Sequence, residues 1–318
     1  ICFAFRTSWR VFDRIPDYRH YVVRAWHGRL DALLGFFLTQ RLIPPSIIKV
    51  SAMAKTTEIT TLGSFKAKHP WNTPPRELQL PEDTVDVWRA PLDLPAAEES
   101  AIGRFLSAEE LERAQQIQVV EKRREFIVAR GVLRVILGRY LQADPASLEI
   151  GRGPKGKPYL VHSPPGLDLR FNLSHSRELS LCAVALGRDV GIDVEQVRSE
   201  WAGDDVARRF FSEKEIQALQ RLPDERKLAG FFRCWTSKEA FVKARGDGLG
   251  YPLDTFEVEV TPDAPAALLS ARGHPEEPSR WVLQALDVGA GYAAVCAVEG
   301  IPAEWRLWVW NPGWSLSA

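Results

Sequence analysis

The sequence predicts an α+β fold made of two similar α/β lobes in a pseudo-twofold arrangement. One indication is an internal repeat, in which FLSAEEL at 105–111 is matched by FFSEKEI at 210–216. Each copy has a serine followed three residues later by a glutamate, the capping box that begins a helix. In addition, each half combines short β-type runs with longer stretches of helical spacing. We therefore predict lobes over 84–187 and 188–318.

Apolar spacing gives the elements of the first lobe. A strand is expected at 85–89, followed by a helix that begins at Ser107 and has apolar residues at helical spacing as far as Leu137. A further strand is expected near 148–151. The segments LDLRFNLS and LSLCAVAL then predict two paired strands around a turn at 175–178.

The second lobe is predicted to begin with a strand at 190–197, followed by helices across 205–222 and 225–245. Four short β-type runs complete the lobe, near 256–260, 281–286, 291–298 and 306–309.

The segment before the first lobe differs from the rest of the chain. The sequence begins at Ile1, its only methionine is Met53, and residues 1–52 lack clean periodicity. The longest apolar run there is too short to span a bilayer, and no small-residue cleavage site follows it. We expect 1–52 to be a non-native or disordered upstream segment, with a genuine N-terminal extension as the alternative. Residues 53–83 predict an extended, proline-punctuated lead-in.

Composition limits the class of protein. The chain has 318 residues, with 41 basic and 41 acidic side chains, so a globally basic nucleic-acid binder is excluded. No segment predicts a membrane span. The four cysteines have no CxxC spacing and no neighbouring histidine cluster, which favours reduced, buried thiols in a cytoplasmic protein.

Four charged residues form the most informative pattern. Asp193 and Glu195 lie two apart in an apolar run, so a strand would point both carboxylates to one side. Glu239 and Lys243 lie four apart on a helical pattern and share a helix face. Taken separately, the pair Asp193 and Glu195 also fits a solvated sheet face, and the pair Glu239 and Lys243 also fits a surface ion pair. Together, three carboxylates and an ammonium suit Mg²⁺-dependent chemistry on a phosphate.

Four motifs in order extend this pattern: GKPYL at 156–160, LRFNLSHS at 169–176, GIDVEQV at 191–197 and FRCWTSKEAFVKARGDGL at 232–249. In this order and spacing they resemble the 4′-phosphopantetheinyl transferases, and more narrowly the monomeric two-lobed class that activates peptide and polyketide synthases. The resemblance covers about 84–300. It implies an active site at the interface between the lobes.

The resemblance also implies the reaction. In the family, the 4′-phosphopantetheine arm of coenzyme A is transferred to a serine of an apo acyl, peptidyl or aryl carrier protein, releasing adenosine 3′,5′-bisphosphate. Asp193, Glu195 and Glu239 match the metal carboxylates, with Mg²⁺ as the cofactor. Glu239 also matches the general base, acting directly or through a water. Lys243 would neutralise or protonate the leaving phosphate.

Further residues match the coenzyme A contacts of the family. For His175 the alternative is a histidine that satisfies a loop carbonyl, and for Arg130 it is a solvated helix face. The coenzyme A-binding residues implied are Arg130, Arg152, Lys157, Pro158, Ser174, His175, Asp193 and Lys243.

Two other functions remain open from the sequence. One is a non-catalytic module on the same fold that binds coenzyme A or a carrier protein. The intact set of Asp193, Glu195, Glu239 and Lys243 argues against that module. The other is a different Mg²⁺-dependent nucleotide enzyme. As a transferase, the chain is expected to be a monomer that binds neither nucleic acid nor membrane. The sequence leaves open which carrier protein it modifies, and whether it serves fatty-acid, polyketide, peptide or glycolipid synthesis.

Overall fold

The computed structural model of the chain describes residues 70–313. The predicted upstream segment 1–52 and the first part of the predicted lead-in at 53–83 lie outside that range. Within 70–313 the chain combines seven α-helices with several β-sheets, which confirms the α+β class. None of the helices in this range is long and apolar enough to cross a membrane.

Six of the seven described helices fall into two groups separated by a run of strands, and each group contains one helix of 22 residues, whereas the four-residue seventh helix lies further along the chain. Their bounds are α1 Ala96–Gly103, α2 Ala108–Gln115, α3 Val120–Leu141, α4 Asp204–Phe210, α5 Glu213–Arg221, α6 Asp224–Arg245 and α7 Glu277–Arg280.

The strands precede, separate and follow those groups. Their bounds are β1 Trp71–Asn72, β2 Thr84–Pro91, β3 Ile150–Arg152, β4 Pro158–Leu160, β5 Leu169–Ser176, β6 Leu179–Leu186, β7 Val190–Gln196, β8 Phe256–Val258, β9 Leu268–Ala271, β10 Trp281–Ala285, β11 Tyr292–Glu299 and β12 Glu304–Val309.

Two larger sheets organise the described chain. The first has the strand order β1-β12-β2-β6-β5, and the second has the order β10-β11-β7. Two hairpins, β3–β4 and β8–β9, form small separate sheets. The first sheet packs its apolar side chains mainly on α3, in a core that includes Trp88, Leu133, Phe171 and Trp310. The second core lies between the two sheets, where β2 and β6 meet β7 and β11.

Several elements differ from the sequence prediction. Strand β12 pairs in parallel with β2 and so joins the first sheet, although its residues were predicted within the second lobe. The helix predicted from Ser107 is interrupted between α2 and α3, and the helix predicted across 205–222 is interrupted where Ser212 caps α5. The turn predicted at 175–178 is shorter, because β5 continues to Ser176.

Both predicted capping boxes are present. The Ser107 hydroxyl accepts a hydrogen bond from the Glu110 amide, and the Glu110 carboxylate accepts one from the Ser107 amide. Ser212 and Glu215 make the same reciprocal pair at the start of α5. These contacts satisfy amides that have no partner inside the helix. The repeat in the sequence therefore corresponds to a repeated local structure.

The glutamate of each capping box also receives a buried cation from the long helix that follows. In the first half, Glu110 pairs with Arg134 of α3 at 2.6 Å. In the second half, Glu215 pairs with Lys238 of α6 at 2.8 Å. Lys238 is fully buried and also donates to the carbonyl oxygens of Leu253 and Phe256, each at 2.7 Å. Because it binds three acceptors, Lys238 fixes the position of α6 at the residue next to Glu239.

Candidate active site

Strand β7 and helix α6 approach each other unusually closely, and this approach builds the site. A Cβ placed on Gly191 would lie 2.2 Å from the carbonyl oxygen of Ala240 and 2.2 Å from the amide nitrogen of Ala244. Residues two apart on a strand share a face, so Asp193 and Glu195 lie on the same face as Gly191. The opposite face of β7, with Val190, Ile192 and Val194, is buried in the second core.

Asp193 is the centre of the cluster. The residue is buried, with 3% of its surface exposed. The Oδ1 atom accepts hydrogen bonds from Lys243 Nζ at 2.6 Å and from Ser174 Oγ at 3.0 Å. The Oδ2 atom is buried and has no hydrogen-bond partner within residues 70–313. One oxygen of this carboxylate is thus hydrogen-bonded within the protein, and the other is available to a cation or to a hydrogen-bond donor of a ligand.

Glu195 lies further out on the same strand and is half-buried. Its Oε2 atom accepts a hydrogen bond from Ser176 Oγ at 3.0 Å. Burial, and then the negative charge of Asp193, raise the pKa of Glu195. The two β7 carboxylates therefore lie near enough to repel each other, which favours a cation between them.

Glu239 and Lys243 occupy successive turns of α6 and face this strand. Burial raises the pKa of Glu239 to about 7, the charge of Lys243 opposes that shift, and the charge of Asp193 adds to it. For Lys243, burial alone would lower the pKa, but the carboxylates of Asp193 and Glu239 outweigh it and raise the pKa. Near neutral pH the site thus combines a firmly charged ammonium with a carboxyl group that can gain or lose a proton.

The carboxylates suit a hard divalent cation in chemistry, although they are not gathered into a closed cage. Within residues 70–313 no three His, Cys, Asp or Glu side chains lie together closely enough to hold a metal. The fit rests on the buried Oδ2 of Asp193, which lacks a partner in that part of the chain, and on the nearby carboxylates of Glu195 and Glu239. Few protein oxygens, completed by phosphate and water, are typical of a Mg²⁺ site.

His175 differs from the sequence prediction. It lies in β5, paired with Ser180 of β6, rather than in the turn, and its side chain is half-buried. Burial, and then the positive charges of Lys122 and Lys243, lower the pKa of His175 to about 4. The imidazole is therefore neutral near pH 7 in the protein without a ligand. Lys122 and Lys243 are ion-paired with Glu125 and Asp193, but they are near enough to lower this pKa, and positive charge near His175 suits an anionic ligand.

Arg130 forms an ion pair with Glu110 of the first capping box. Its guanidinium contacts Glu110 Oε1, with distances of 2.7 Å from Nε and 2.6 Å from the terminal nitrogen, and the residue is 8% exposed. The alternative of a solvated helix face is therefore wrong, because Arg130 is buried in an ion pair. It still contributes positive charge at His175.

The other predicted coenzyme A residues lie on the β3–β4 hairpin. Arg152, at the end of β3, is exposed and pairs across the hairpin with Pro158 of β4. Lys157 donates to the Ala244 carbonyl at 2.6 Å and to Asp189 Oδ1 at 3.3 Å. This hairpin is therefore attached to the C-terminal turn of α6, next to Lys243. The structure separates the predicted ligands into this hairpin group and the group around Asp193.

Sequence reasoning missed four residues that support the cluster: Asn172, Ser176, Gly191 and Lys238. One signal was available for the first two. Asn172, Ser174 and Ser176 alternate along β5 with the same period as Asp193 and Glu195 along β7.

Comparison with known proteins agrees with this geometry. Residues 189–297 match the model of the 4′-phosphopantetheinyl transferase superfamily, and residues 94–186 match the N-terminal model of 4′-phosphopantetheinyl transferase. The 4′-phosphopantetheinyl transferase HetI of Nostoc sp. is 39% identical over 241 residues, which cover 76% of this chain and 98% of the relative. A 4′-phosphopantetheinyl transferase of Bacillus subtilis is 32% identical over 207 residues, 65% of this chain and 88% of its own.

Proposed function

Since this chain belongs to the 4′-phosphopantetheinyl transferase family, we propose that Glu239 and Lys243 carry out the reaction of the family. They would do so beside Asp193 and Glu195, the two carboxylates of β7. As a member of that family, the chain is an enzyme that transfers the 4′-phosphopantetheine arm of coenzyme A to a serine of an apo carrier protein, releasing adenosine 3′,5′-bisphosphate. Coenzyme A is its substrate, and a carrier protein is its partner.

One observation carries the assignment of roles. Lys243 Nζ lies 2.6 Å from Asp193 Oδ1, and Glu239 precedes Lys243 by one helical turn on the same face of α6. An acid or base, an ammonium and a buried carboxylate therefore meet at one place. This is the set of groups that phosphoryl transfer to a neutral hydroxyl needs.

Glu239 is proposed to manage the proton. The carrier serine oxygen attacks the phosphorus that bears the pantetheine arm, a new oxygen–phosphorus bond forms, and the bond to the adenosine-bearing phosphate breaks. The serine proton passes to the Glu239 carboxylate, directly or through a water. A base is most effective when its pKa lies near the working pH, and burial raises the pKa of Glu239 to about 7 when no metal is bound.

Lys243 is proposed to neutralise the leaving phosphate. The carboxylates of Asp193 and Glu239 keep its pKa raised, so its ammonium stays charged throughout the neutral range. Fixed positive charge close to a group that gains negative charge lowers the energy of the transition state.

Asp193, Glu195 and Glu239 are the residues that would hold Mg²⁺. When bound, the ion would neutralise charge on the pyrophosphate oxygens. The observation that supports this role is the buried Oδ2 of Asp193, which has no hydrogen-bond partner in the described part of the chain.

The coenzyme A contacts form a second part of the proposal. We assign the phosphates to the region around His175, where the charges of Lys122, Lys243 and Arg130 converge. The hairpin residues Arg152, Lys157 and Pro158 would border the nucleotide, because Lys157 holds the hairpin against the end of α6. Asp193 would act on coenzyme A through the ammonium of Lys243.

The remaining expectations also belong to the proposal. We place the enzyme in the cytoplasm as a monomer that binds neither nucleic acid nor membrane. The formal net charge of zero argues against nucleic-acid binding. The free, buried thiols of Cys182, Cys234 and Cys296 are typical of a reducing compartment such as the cytoplasm. The proposed lobes remain 84–187 and 188–318, with β12 of the second contributed to the sheet of the first.

The test is the covalent product. The full chain is incubated with Mg²⁺, coenzyme A and an apo acyl carrier protein, and the intact mass of the carrier is measured. We expect the carrier to gain the mass of one phosphopantetheine group on its serine, with one adenosine 3′,5′-bisphosphate released. Binding of coenzyme A without transfer would instead indicate a binding module, and cleavage of coenzyme A without carrier modification would indicate another nucleotide enzyme.

A further inference from the structure

Two sheet edges face each other beside the site without forming a backbone ladder. Strand β5 is an edge strand of the first sheet, and β7 is an edge strand of the second. Side chains of β5 bridge the gap by accepting hydrogen bonds from alternate amides of β7. The three bonds are Ile192 N to Asn172 Oδ1 at 2.9 Å, Val194 N to Ser174 Oγ at 3.4 Å and Gln196 N to Ser176 Oγ at 3.1 Å. We call Asn172, Ser174 and Ser176 the side-chain ladder.

The residue type at each position of the side-chain ladder matches the β7 residues that it contacts. Asn172 bridges to Ile192, which follows Gly191, so there is no carboxylate beside it. Each serine bridges to an amide that directly follows an acidic residue, and its hydroxyl donates to that acid. The two bonds are Ser174 Oγ to Asp193 Oδ1 and Ser176 Oγ to Glu195 Oε2, each at 3.0 Å.

At those two positions the side chain has to accept a hydrogen bond and donate one at the same time, and a hydroxyl group does both. A backbone amide can only donate and a carboxylate can only accept, so the hydroxyl accepts from the first and donates to the second. The carboxamide oxygen of Asn172 does only the accepting part. Each serine therefore ties a carboxylate to the backbone of the same strand, which restricts its side-chain rotation.

Ser174 has no hydrogen-bonding capacity to spare. Its one proton goes to Asp193, and its two lone pairs accept from the amide of Val194 and from Lys243 Nζ at 3.1 Å. Sequence reasoning placed Ser174 among the coenzyme A ligands. With all three bonds made within the protein, its hydroxyl acts on Asp193 and Lys243 instead of on a phosphate.

We propose that Ser174 and Ser176 are positioning residues that orient Asp193 and Glu195 for a divalent cation, so that a strand of the first sheet sets up the carboxylates of the second. This inference rests on the proposed metal role of those carboxylates. Ser176 is the residue that tests it, because its hydroxyl contacts Glu195 and, unlike that of Ser174, makes no contact with Lys243.

The experiment measures cation binding without turnover. Mn²⁺ is titrated into the full chain with coenzyme A present and carrier protein absent, and free Mn²⁺ is followed by electron paramagnetic resonance. Loss of a residue that orients a metal ligand typically weakens metal affinity by 10-fold or more. We therefore expect Ser176→Ala to bind Mn²⁺ about 10-fold more weakly than the wild type.

Asn172→Ala is the matched control. It also removes one acceptor for a β7 amide, but that acceptor contacts no carboxylate. It should lower the melting temperature while leaving Mn²⁺ affinity within about twofold, since a lost hydrogen bond costs about 1 kcal/mol of stability. Ser176→Thr keeps the hydroxyl and should restore Mn²⁺ affinity, which distinguishes positioning from a purely structural role.

The outcomes separate this inference from the proposed function. If the wild type binds no Mn²⁺, the metal role of Asp193 and Glu195 fails, and the inference fails with it. If the wild type binds Mn²⁺ and Ser176→Ala binds it equally tightly, only the positioning inference fails. Should Ser176→Ala not fold, Ser176→Thr and Ser176→Val, which have nearly equal volume, make the same comparison, and equal Mn²⁺ affinity in these two variants would overturn the inference.

Discussion

Gly191 of β7 lies in direct backbone contact with Ala240 of α6. A Cβ on Gly191 would lie 2.2 Å from the Ala240 carbonyl oxygen, a distance that no side chain can occupy. The obstacle is main chain, which cannot rotate away as a flexible side chain does. The hydrogen bond between Lys243 and Asp193 depends on this spacing, because it joins the same strand and helix.

Gly191→Ala should therefore damage both stability and activity. The added methyl group has to push α6 away from β7, and overpacking of this kind costs about 1–3 kcal/mol in the free energy of unfolding. The displaced helix would also separate Lys243 from Asp193. We expect transfer to fall by at least about 10-fold, since a misplacement near 1 Å can cost more than that. Chemical denaturation and a carrier-modification assay measure the two effects.

Gly103→Ala is the control for that substitution. At Gly103, in the last turn of α1, a Cβ would have no neighbour closer than 3.4 Å, which is an ordinary contact. Stability there should change by less than about 1 kcal/mol, the difference between glycine and alanine in a helix. If Gly191→Ala were as benign as Gly103→Ala, the close approach of α6 to β7 would not be needed.

Glu239→Gln should abolish most transfer while coenzyme A still binds. The amide keeps the size of the side chain but cannot accept the serine proton. We expect the rate to fall by at least about 100-fold, the usual contribution of a general base. Raising the Mg²⁺ concentration should not restore it, because concentration compensates for weak affinity and cannot supply a base.

Asp193→Asn is the comparison for that variant, since the substitution removes a proposed ligand but no proposed base. Its activity should recover in part as Mg²⁺ is raised. Full recovery of Glu239→Gln at high Mg²⁺ would show that Glu239 is only a ligand, and that a water or another carboxylate takes the proton.

His175→Ala should weaken coenzyme A binding by about 10-fold, the value of one hydrogen bond to a charged group. Turnover at saturating coenzyme A should change less, because a contact to a phosphate that is already charged is uniform binding. Calorimetric titration and steady-state kinetics measure the two effects. His162→Ala, at an exposed histidine, is the control. A large fall in turnover with unchanged affinity would contradict the phosphate assignment.

The same histidine gives a pH dependence with a defined sign. In the free protein the pKa of His175 is lowered to about 4, so the imidazole is neutral at pH 7. A bound phosphate favours the protonated form and raises that pKa, so binding takes up a proton. Coenzyme A affinity should therefore increase as the pH falls from 7 towards 5 in the wild type more than in His175→Ala. Parallel pH profiles for the two proteins would exclude the contact.

Glu110→Gln should destabilise the first half of the protein in a pH-dependent way. Burial alone would raise the pKa of Glu110, but the charges of Arg130 and Arg134 and the amide of Ser107 outweigh it and lower the pKa. The variant leaves two buried guanidinium groups unpaired, so we expect a loss of about 3–5 kcal/mol in the free energy of unfolding at pH 7. Urea denaturation measures it.

The sign follows from the lowered pKa. Glu110 stabilises the fold above its ordinary pKa of 4.5, and this stabilisation is lost as the pH falls through its lower folded value. The difference between wild type and Glu110→Gln should therefore shrink below about pH 4.5. Glu109→Gln, at the exposed neighbour, should keep wild-type stability across the range. A constant difference for Glu110→Gln would rule out the ionised pair.

Local spacing was enough to predict the centre of the site. The period of a strand placed Asp193 beside Glu195, and the period of a helix placed Glu239 beside Lys243. Both capping boxes were likewise visible, because their signal lies within four residues. These features depend only on neighbours in sequence, which the sequence shows directly.

Features that depend on distant neighbours were not predictable in the same way. Burial and cations from other elements lower the pKa of His175, and the motif around His175 shows neither of them. The side-chain ladder joins β5 to β7 without a backbone pattern that periodicity could detect. The pairing of β12 with β2 of the first sheet was not predicted, because its neighbour in the sequence, β11, lies in the other sheet.

The position of β12 affects how the protein folds during its synthesis. The first sheet has β12 inserted beside β2, where Arg306 binds Asp86 across 220 residues of sequence. A growing chain that has completed β2, β5 and β6 still lacks this strand, so the flank of β2 stays open until residues 304–309 have left the ribosome. Contacts of such long separation slow folding. The two halves therefore cannot mature one after the other, and a nascent first half would depend on protection from aggregation until its missing strand arrives.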